Sequence, residues 1–315
     1  MAAAAPDTGP GISANENPVA LPPELVALIR RIEIRARRLT STLLSGDYRS
    51  VFHGAGLEFS DAREYVPGDD VRLIDWNVTA RMGTPWVKQY VEERELNVVC
   101  AVDLSASQLV AQPPFGRLGV AAEVCALLSF AAAYSSDLTG LLTFSDRVER
   151  FVPPARGTRH VLRLLREVLY HAPPRPATDV AAACDYLARV LRRRSIVFLI
   201  SDLLDSGYEQ SLRTLARRHQ VVAVTLVDPL DLEFPDLGLV EVEDAERGER
   251  LLLDSSDPGL RRRYAQAALA RAQARRTALT AAGVDEVEVR LGEGLPEQRY
   301  LQPLVRYFRR RAARR

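Results

Sequence analysis

The chain has 315 residues, 47% hydrophobic and 26% charged, which is typical of a soluble globular protein with one large or two modest domains. The formal net charge is only +1, so no global electrostatic field favours nucleic acid or a membrane surface as a partner. The cysteines, Cys100, Cys125 and Cys184, lie in apolar segments without a CxxC pair, which argues against a disulfide framework. We therefore expect a cytoplasmic protein.

The N-terminal part of the chain is predicted to contain a tail, a helix and a charged module. Residues 1–20 have no basic region followed by an apolar run, so they are expected to form a disordered tail rather than a signal peptide. Residues 21–44 have apolar side chains at helical spacing, which predicts an amphipathic helix. Short β-like pieces and dense charges follow, and we assign 21–95 to this helix plus a β-rich module.

From residue 96 onward, apolar strands alternate with helices. Strands are predicted at 98–103, 137–154 (two strands), 195–202, 220–228 and 285–291, and helices at 117–135, 158–172, 179–194, 208–218, 258–282 and the basic C-terminus. This alternation predicts an α/β fold with a doubly wound, mostly parallel sheet over 96–315. A hairpin around Arg247-Gly248 is predicted to form an insertion near 231–256. The apolar stretch 118–134 contains Glu123 and is short for a bilayer, so we expect a buried helix and no membrane span.

The strand "VVCAVDLSAS" (98–107) ends in oxygen-bearing side chains at alternate positions, Asp103, Ser105 and Ser107. Asp202 closes another predicted strand, and Thr178 lies in a loop before a helix. Ligands of an open parallel sheet bind beyond the carboxyl ends of its strands, so these five side chains are expected to meet. They offer carboxylates and hydroxyls without imidazole or thiolate, a set that suits Mg²⁺ or Mn²⁺. The alternative is that the serines only cap the next helix and that the site holds no metal.

The order DxSxS, loop threonine and strand-closing aspartate resembles the von Willebrand factor A domain and its metal-ion-dependent adhesion site. This resemblance spans roughly 96–230. It implies that the hydroxyls of the two serines and the threonine contact the metal, while the two aspartates act directly or through water. The sequence departs from the family pattern at three positions. Gln108 stands where glycine or methionine is common, Thr178 lacks a preceding glycine pair, and Leu203 replaces the glycine after the second aspartate.

Residues 54–95 carry charges of alternating sign and both tryptophans of the chain. We single out Arg63, Asp69, Asp70, Arg72, Asp75, Trp76 and Lys88 as a structural signature. We interpret Arg63, Asp70, Arg72 and Asp75 as a clamp that holds the module onto the sheet, since buried ion pairs more often fix geometry than add stability. Lys88 is the only lysine, which is suggestive of a need for a compact ammonium group.

The pattern GxGxEFxxxRxYxxGDDxRxIDW, followed by VKxxxEER and then DxSxS, closely resembles bacterial proteins of the domain-of-unknown-function 58 family. It runs from Gly54 to Ser107 without a gap. The resemblance implies a partner of the MoxR type, an AAA+ ATPase, and a chaperone-like or maturation role on an unknown client protein.

Two functions follow from these patterns. We favour a metal-assisted protein-interaction adaptor over a Mg²⁺-dependent phosphoester hydrolase, because a DxD phosphatase needs an acid where this chain has Ser105. No histidine or lysine base is expected near residues 103 or 202, and the chain lacks a GxxxxGK[ST] phosphate loop. Nucleic-acid binding by the arginine clusters at 192–194, 261–263 and 306–315 is not expected, because charge runs are usually solvated faces.

Overall fold

The computed structural model describes residues 23–40, 58–91, 95–109, 116–170, 177–243, 249–292 and 301–313. The predicted tail 1–20, the end of the first predicted helix at 41–44 and the hairpin turn at Arg247-Gly248 lie outside these ranges.

Helices and strands alternate along most of the described chain. The helices are α1 Pro23–Leu39, α2 Trp76–Met82, α3 Ala106–Leu109, α4 Gly116–Tyr134, α5 Thr158–Tyr170, α6 Val180–Val190, α7 Glu209–Arg218, α8 Pro229–Leu232, α9 Pro258–Ala282 and α10 Gln302–Ala312. The strands are β1 Glu58–Glu64, β2 Trp86–Val91, β3 Asn97–Asp103, β4 Leu138–Phe144, β5 Val148–Ala155, β6 Ser195–Ser201, β7 Gln220–Val227, β8 Leu239–Glu243, β9 Arg250–Asp254 and β10 Asp285–Arg290.

Six strands form the central sheet in the order β10-β7-β6-β3-β4-β5. All neighbours in this sheet run parallel except β5, which pairs antiparallel with β4 at one edge. Numbered along the chain from β3, the strands follow the order 3-2-1-4-5-6 of a doubly wound fold, which reverses direction beside β3. The predicted fold class is therefore confirmed.

The core consists of two apolar layers, one on each face of the sheet. Val98, Cys100 and Val102 of β3 pack in one layer with α1, α4, α5 and α10, while Val99 and Ala101 pack in the other with α6, α7 and α9. Successive side chains of a strand point to opposite faces, so β3 is buried on both. This burial explains the unbroken apolar run that precedes Asp103.

Helix α4 is the most apolar helix of the fold. It lies in the core layer with α1 and α5, and Glu123 on α4 accepts a hydrogen bond from Arg35 on α1 at 2.6 Å. Among the described helices it alone is long and apolar enough to cross a membrane, but 72% of that stretch is buried inside the protein. The prediction of a buried helix is confirmed, and all three cysteines are free and buried as predicted.

A helix lies inside the module that the sequence predicts as β-rich. Strands β1 and β2 pair antiparallel, and between them the chain forms α2 and a single 3-10 turn at Val71–Leu73. The Asp75 carboxylate accepts the backbone N–H groups of Asn77 and Val78, and Gly83 ends α2 at a φ of 77°. An aspartate cap before the helix and a glycine after it were thus the helix signals in a segment that otherwise resembled strands.

The charges of this module pair and cap locally. Arg63 donates to both carboxylate oxygens of Asp69, at 2.6 and 2.7 Å, and Asp70 accepts the backbone N–H of Arg72 at 3.0 Å. Among the described residues, the hydrogen bonds of Arg63 and Asp70 lie within the module, and the Arg72 side chain is exposed, so the clamp interpretation stays a prediction. Trp76 is 68% exposed at the start of α2. Lys88 lies in β2 opposite Ala62. Its side chain lies outside those that the structure describes, so the predicted role of its ammonium group stays a prediction.

Helix boundaries follow their capping residues. Helix α9 begins after Asp257 and ends before Gly283, whose φ is 71°, as the sequence predicts. Helix α6 instead ends at Val190, four residues earlier than predicted, because Leu191 has extended backbone and is buried in the core. Three exposed arginines then lead into β6.

Candidate functional site

The predicted site residues lie at the carboxyl edge of the sheet. Asp103 is the last residue of β3, and Asp202 directly follows β6, which pairs parallel with β3. Thr178 precedes Asp179, whose N–H donates to the carbonyl of Ser145 at 2.8 Å just after β4. Since β4 is the other neighbour of β3, Thr178 lies at the same edge as both aspartates.

Hydrogen bonds hold the Asp103 carboxylate in one orientation. The side chain is fully buried, with one oxygen accepting the backbone N–H of Ser105 at 2.9 Å and the other accepting the Ser201 hydroxyl at 2.6 Å. The hydroxyl oxygens of Ser105 and Ser107 are 3.1 Å apart. The DxSxS segment therefore forms a compact cluster of oxygen atoms where β3 leads into α3.

Asp202 is engaged by an arginine that sequence reasoning missed. Arg117, the second residue of α4, donates from Nη1 to Asp202 at 2.8 Å and from Nη2 to Asp231 of α8 at 2.5 Å. The second oxygen of Asp202 accepts the backbone N–H of Leu204 at 3.2 Å. One guanidinium thus joins the start of α4, the end of β6 and the helix that follows β7.

The cluster has more negative than positive groups. Within the described part of the chain, the guanidinium of Arg117 binds the carboxylates of Asp202 and Asp231, while Asp103 is hydrogen-bonded only by neutral donors. Burial and then the charge of Asp202 raise the pKa of Asp103 to about 6, against the opposing hydrogen bonds from Ser201 and Ser105. Burial also raises the pKa of Asp231, although Arg117 opposes the shift. Ionising all three aspartates therefore leaves buried negative charge uncompensated.

This donor set fits a hard divalent cation. Two added positive charges would compensate the excess carboxylates, and every predicted ligand supplies oxygen, as Mg²⁺ and Mn²⁺ prefer. No group of three or more His, Cys, Asp or Glu side chains suited to a metal occurs in the described ranges, so a cation here would depend on the serine hydroxyls as well. Among the same residues, neither hydroxyl accepts a backbone N–H of α3, so the capping alternative gains no support.

Two of the sequence departures have structural counterparts at this site. Leu203 has a φ of 53°, in the left-handed region that favours glycine, and its N–H donates to the Ser201 hydroxyl at 3.0 Å. The leucine side chain is buried in the core, and this contact holds a backbone conformation that costs a leucine about 1–2 kcal/mol. Gln108 is fully buried, and neither atom of its amide has a hydrogen-bond partner among the described residues.

The three missed residues had weak signals in the sequence. Ser201 is the last residue of the apolar strand β6 and directly precedes Asp202. Arg117 is the only basic residue in the apolar sequence of α4. Asp231 belongs to the segment Asp-Pro-Leu-Asp, in which it accepts the backbone N–H of Asp228 at 3.0 Å as part of a capping box. Nothing local indicates that Arg117 and Asp231 meet across 114 residues.

Known sequences give this chain a family. The model of the family described as "Protein of unknown function DUF58" matches residues 61–275. The uncharacterized protein Rv1480 of Mycobacterium tuberculosis is 36% identical over 259 residues, which are 81% of this chain and 81% of that protein. An uncharacterized protein of Mycobacterium avium, MAV169, is 39% identical over 129 residues, or 39% of this chain and 76% of that protein.

Solved structures resemble the chain more distantly. The conserved hypothetical protein BatB from Bacteroides thetaiotaomicron aligns with a TM-score of 0.44 at 16% identity, covering 70% of this chain and 100% of its own. The SpRpn10 VWA domain aligns with a TM-score of 0.40 at 11% identity, covering 67% and 97%. The family model covers more than half of the chain and the M. tuberculosis relative spans most of both proteins, so the protein belongs to the DUF58 family.

Proposed function

We propose that this protein is a protein-interaction adaptor that uses a divalent cation, Mg²⁺ or Mn²⁺, at the carboxyl edge of its sheet. The observation that carries the proposal is the oxygen cluster in which the buried Asp103 lies beside Ser105 and Ser107, with the charge of Asp202 acting on it. When bound, the cation supplies a positive centre that an acidic group of another protein can complete, because Mg²⁺ rarely takes all six ligands from one protein.

Each residue of the cluster has a role in this proposal. Asp103, Ser105 and Ser107 would hold the cation with Asp202 and Thr178. Ser201 is a positioning residue, because its hydroxyl donates to Asp103 and accepts the N–H of Leu203. These bonds fix the carboxylate before a cation arrives, which lowers the entropy lost on binding.

The partner in this proposal is a MoxR-type AAA+ ATPase, acting with the adaptor on a client protein in the cytoplasm. Its support is the resemblance of residues 54–107 to the family signature. Three buried free cysteines are consistent with a reducing compartment. No nucleic acid and no membrane span enter the proposal.

The hydrolase alternative has no comparable support. His160 bonds to the carbonyl of Thr139 and His219 to the N–H of Ser195, so both described histidines lie near the amino ends of β4 and β6. That edge of the sheet is opposite the aspartates. A general base for phosphoester hydrolysis is therefore not provided by either histidine.

Cation binding is tested first, by calorimetric titration of the purified full chain with Mn²⁺. We expect Asp103→Asn and Ser107→Ala to weaken Mn²⁺ binding at least tenfold and at least threefold, because each removes an oxygen ligand. Ser256→Ala is the matched control, since Ser256 lies in an exposed turn after β9 and should leave the affinity unchanged. Wild type without Mn²⁺ binding, or Asp103→Asn binding like wild type, would refute the cation.

Partner binding is tested next, with a purified MoxR-type ATPase from the same organism. We expect capture by wild type in Mg²⁺, and loss of capture in EDTA or with Asp103→Asn. Capture under every condition would retain the adaptor and remove the cation from its mechanism. No capture under any condition would refute the ATPase as the partner.

A further inference from the structure

Arg117 already occupies part of the carboxylate set that a cation would need. Its guanidinium is almost completely buried, and its two nitrogens bind Asp202 at 2.8 Å and Asp231 at 2.5 Å. The side chain of Asp202 is 4% exposed, so solvent screens this contact weakly. An arginine fork that binds two carboxylates at once is both charge-assisted and geometrically restricted.

A divalent cation and Arg117 have conflicting requirements at Asp202. One oxygen of that carboxylate accepts from Arg117 and the other accepts the N–H of Leu204. A cation that takes Asp202 as a ligand, directly or through water, lies within a few ångströms of the guanidinium, where two positive charges repel strongly at low dielectric. Asp231 offers Arg117 a second carboxylate.

We propose that Arg117 is an internal competitor of the divalent cation: its guanidinium holds Asp202 while no cation is bound, and cation binding transfers Arg117 to Asp231 alone. This inference rests on the function proposed above for the same site. Arg117 then lowers the cation affinity of the site, because part of the binding free energy is used to separate Arg117 from Asp202.

The exchange also gives the cation site a connection to α8. Asp231 accepts Arg117 on one oxygen and the N–H of Asp228 on the other, which closes the capping box of α8. The β8–β9 hairpin follows that helix directly. When Arg117 loses Asp202, its remaining contact is with the helix that leads into the hairpin.

Two variants that conserve the net charge of the cluster separate competition from net charge. Arg117→Lys keeps the positive charge but lacks the fork that holds two carboxylates. Arg117→Gln with Asp231→Asn removes one charge of each sign and takes the guanidinium away from Asp202. We expect Mn²⁺ affinity, measured by calorimetric titration of the full chain, to rise at least threefold in the first and at least tenfold in the second.

The matched control is Arg147→Gln, which removes a positive charge between β4 and β5 at the same sheet edge. Arg147 pairs with Glu149 at 3.4 Å and is about half exposed, so its loss should change Mn²⁺ affinity less than twofold. Circular dichroism and melting in EDTA establish that each variant is folded. If the double variant does not fold, Arg117→Lys decides the question.

The possible outcomes distinguish this inference from the proposed function. A wild type that binds Mn²⁺ with the same affinity as both variants overturns the competition and leaves the cation site in place. A wild type that binds no Mn²⁺ beside variants that do bind overturns both the proposed function and the exchange, because Arg117 of the wild type then never yields Asp202 to a cation. Absence of binding in wild type and variants overturns both.

Discussion

Two arginine–carboxylate pairs of this protein have similar lengths and different surroundings. Arg63 binds Asp69 at 2.6 Å in the exposed N-terminal module, and Arg117 binds Asp202 at 2.8 Å in the buried sheet edge. The hydrogen bond from Arg63 lowers the pKa of Asp69 to about 2. At the sheet edge, burial raises the pKa of Asp231 even though Arg117 binds it. Burial, rather than the length of the ion pair, therefore decides whether a carboxylate is stabilised as an anion.

This difference in burial also decides how much stability depends on each charge. The Arg63–Asp69 pair is partly exposed, with side chains 41% and 20% accessible, so solvent screens it and the loss of Arg63 should cost little. The buried cluster depends on every charge it contains, because water cannot replace a missing partner. We therefore expect a charge substitution to cost more stability in the buried cluster than in the N-terminal module.

Removal of Arg117 should give the largest effect. Arg117→Met leaves Asp202 and Asp231 without a counter-charge, and breaking a buried pair in this way costs about 3–5 kcal/mol of unfolding free energy. The measurement is urea unfolding at pH 7 in EDTA, with Arg63→Met as the control. A loss below about 1 kcal/mol would mean that water reaches the cluster and that the two regions are alike.

Protonation of Asp103 should give the second effect. Its folded pKa of about 6 exceeds the ordinary value of 3.8, so the folded protein binds this proton more tightly than the unfolded chain. The resulting stabilisation is fully present below pH 4 and is lost as the pH rises through 6. We expect this group to lower the free energy of unfolding by about 3 kcal/mol across that window.

The Asp103→Asn variant isolates this contribution, because its side chain does not titrate. The difference in unfolding free energy between wild type and variant, measured from pH 4 to pH 7 in EDTA, should fall as the pH rises. A difference that is constant with pH would show that Asp103 titrates normally despite its burial.

Backbone strain at Leu203 should give a smaller effect with an unusual sign. Leu203→Ala and Leu203→Gly remove buried contacts that differ only by the Cβ atom, but only glycine adopts a φ of 53° without strain. We expect the glycine variant to be about 1 kcal/mol more stable than the alanine variant. Thermal unfolding measures the difference, and an alanine variant at least as stable as glycine would exclude strain at this position.

The exposed pair should give the smallest effect. Arg63→Gln removes the hydrogen bond that lowers the pKa of Asp69, so NMR titration should show that pKa rising toward 3.8. The lowered pKa stabilises the folded state above about pH 4, and this contribution is lost as the pH falls toward 2. Arg63→Gln should therefore lower the midpoint of thermal unfolding at pH 7, but only slightly, because solvent screens this pair. A large drop would place Arg63 with the buried cluster.

Local patterns in the sequence predicted most of the fold correctly. Short local patterns predicted these elements: the apolar run 98–102 predicted β3, and Asp257-Pro258 and Gly283 predicted the start and the end of α9. Helix α2 was missed, because a seven-residue helix shows too few turns to display an apolar face. Its caps, Asp75 and Gly83, were the only evidence for it.

The sequence by itself determined the chemistry of the site: a buried strand ending in Asp103 with serines at alternate positions, and a second strand ending beside Asp202. Periodicity and strand polarity suffice for this, since both depend on neighbouring residues and on the rule that places ligands at carboxyl ends. Only the tertiary structure decided the charge balance. Arg117 and Asp231 are 114 residues apart in the chain, and the distances that govern their electrostatics exist only once the sheet is assembled.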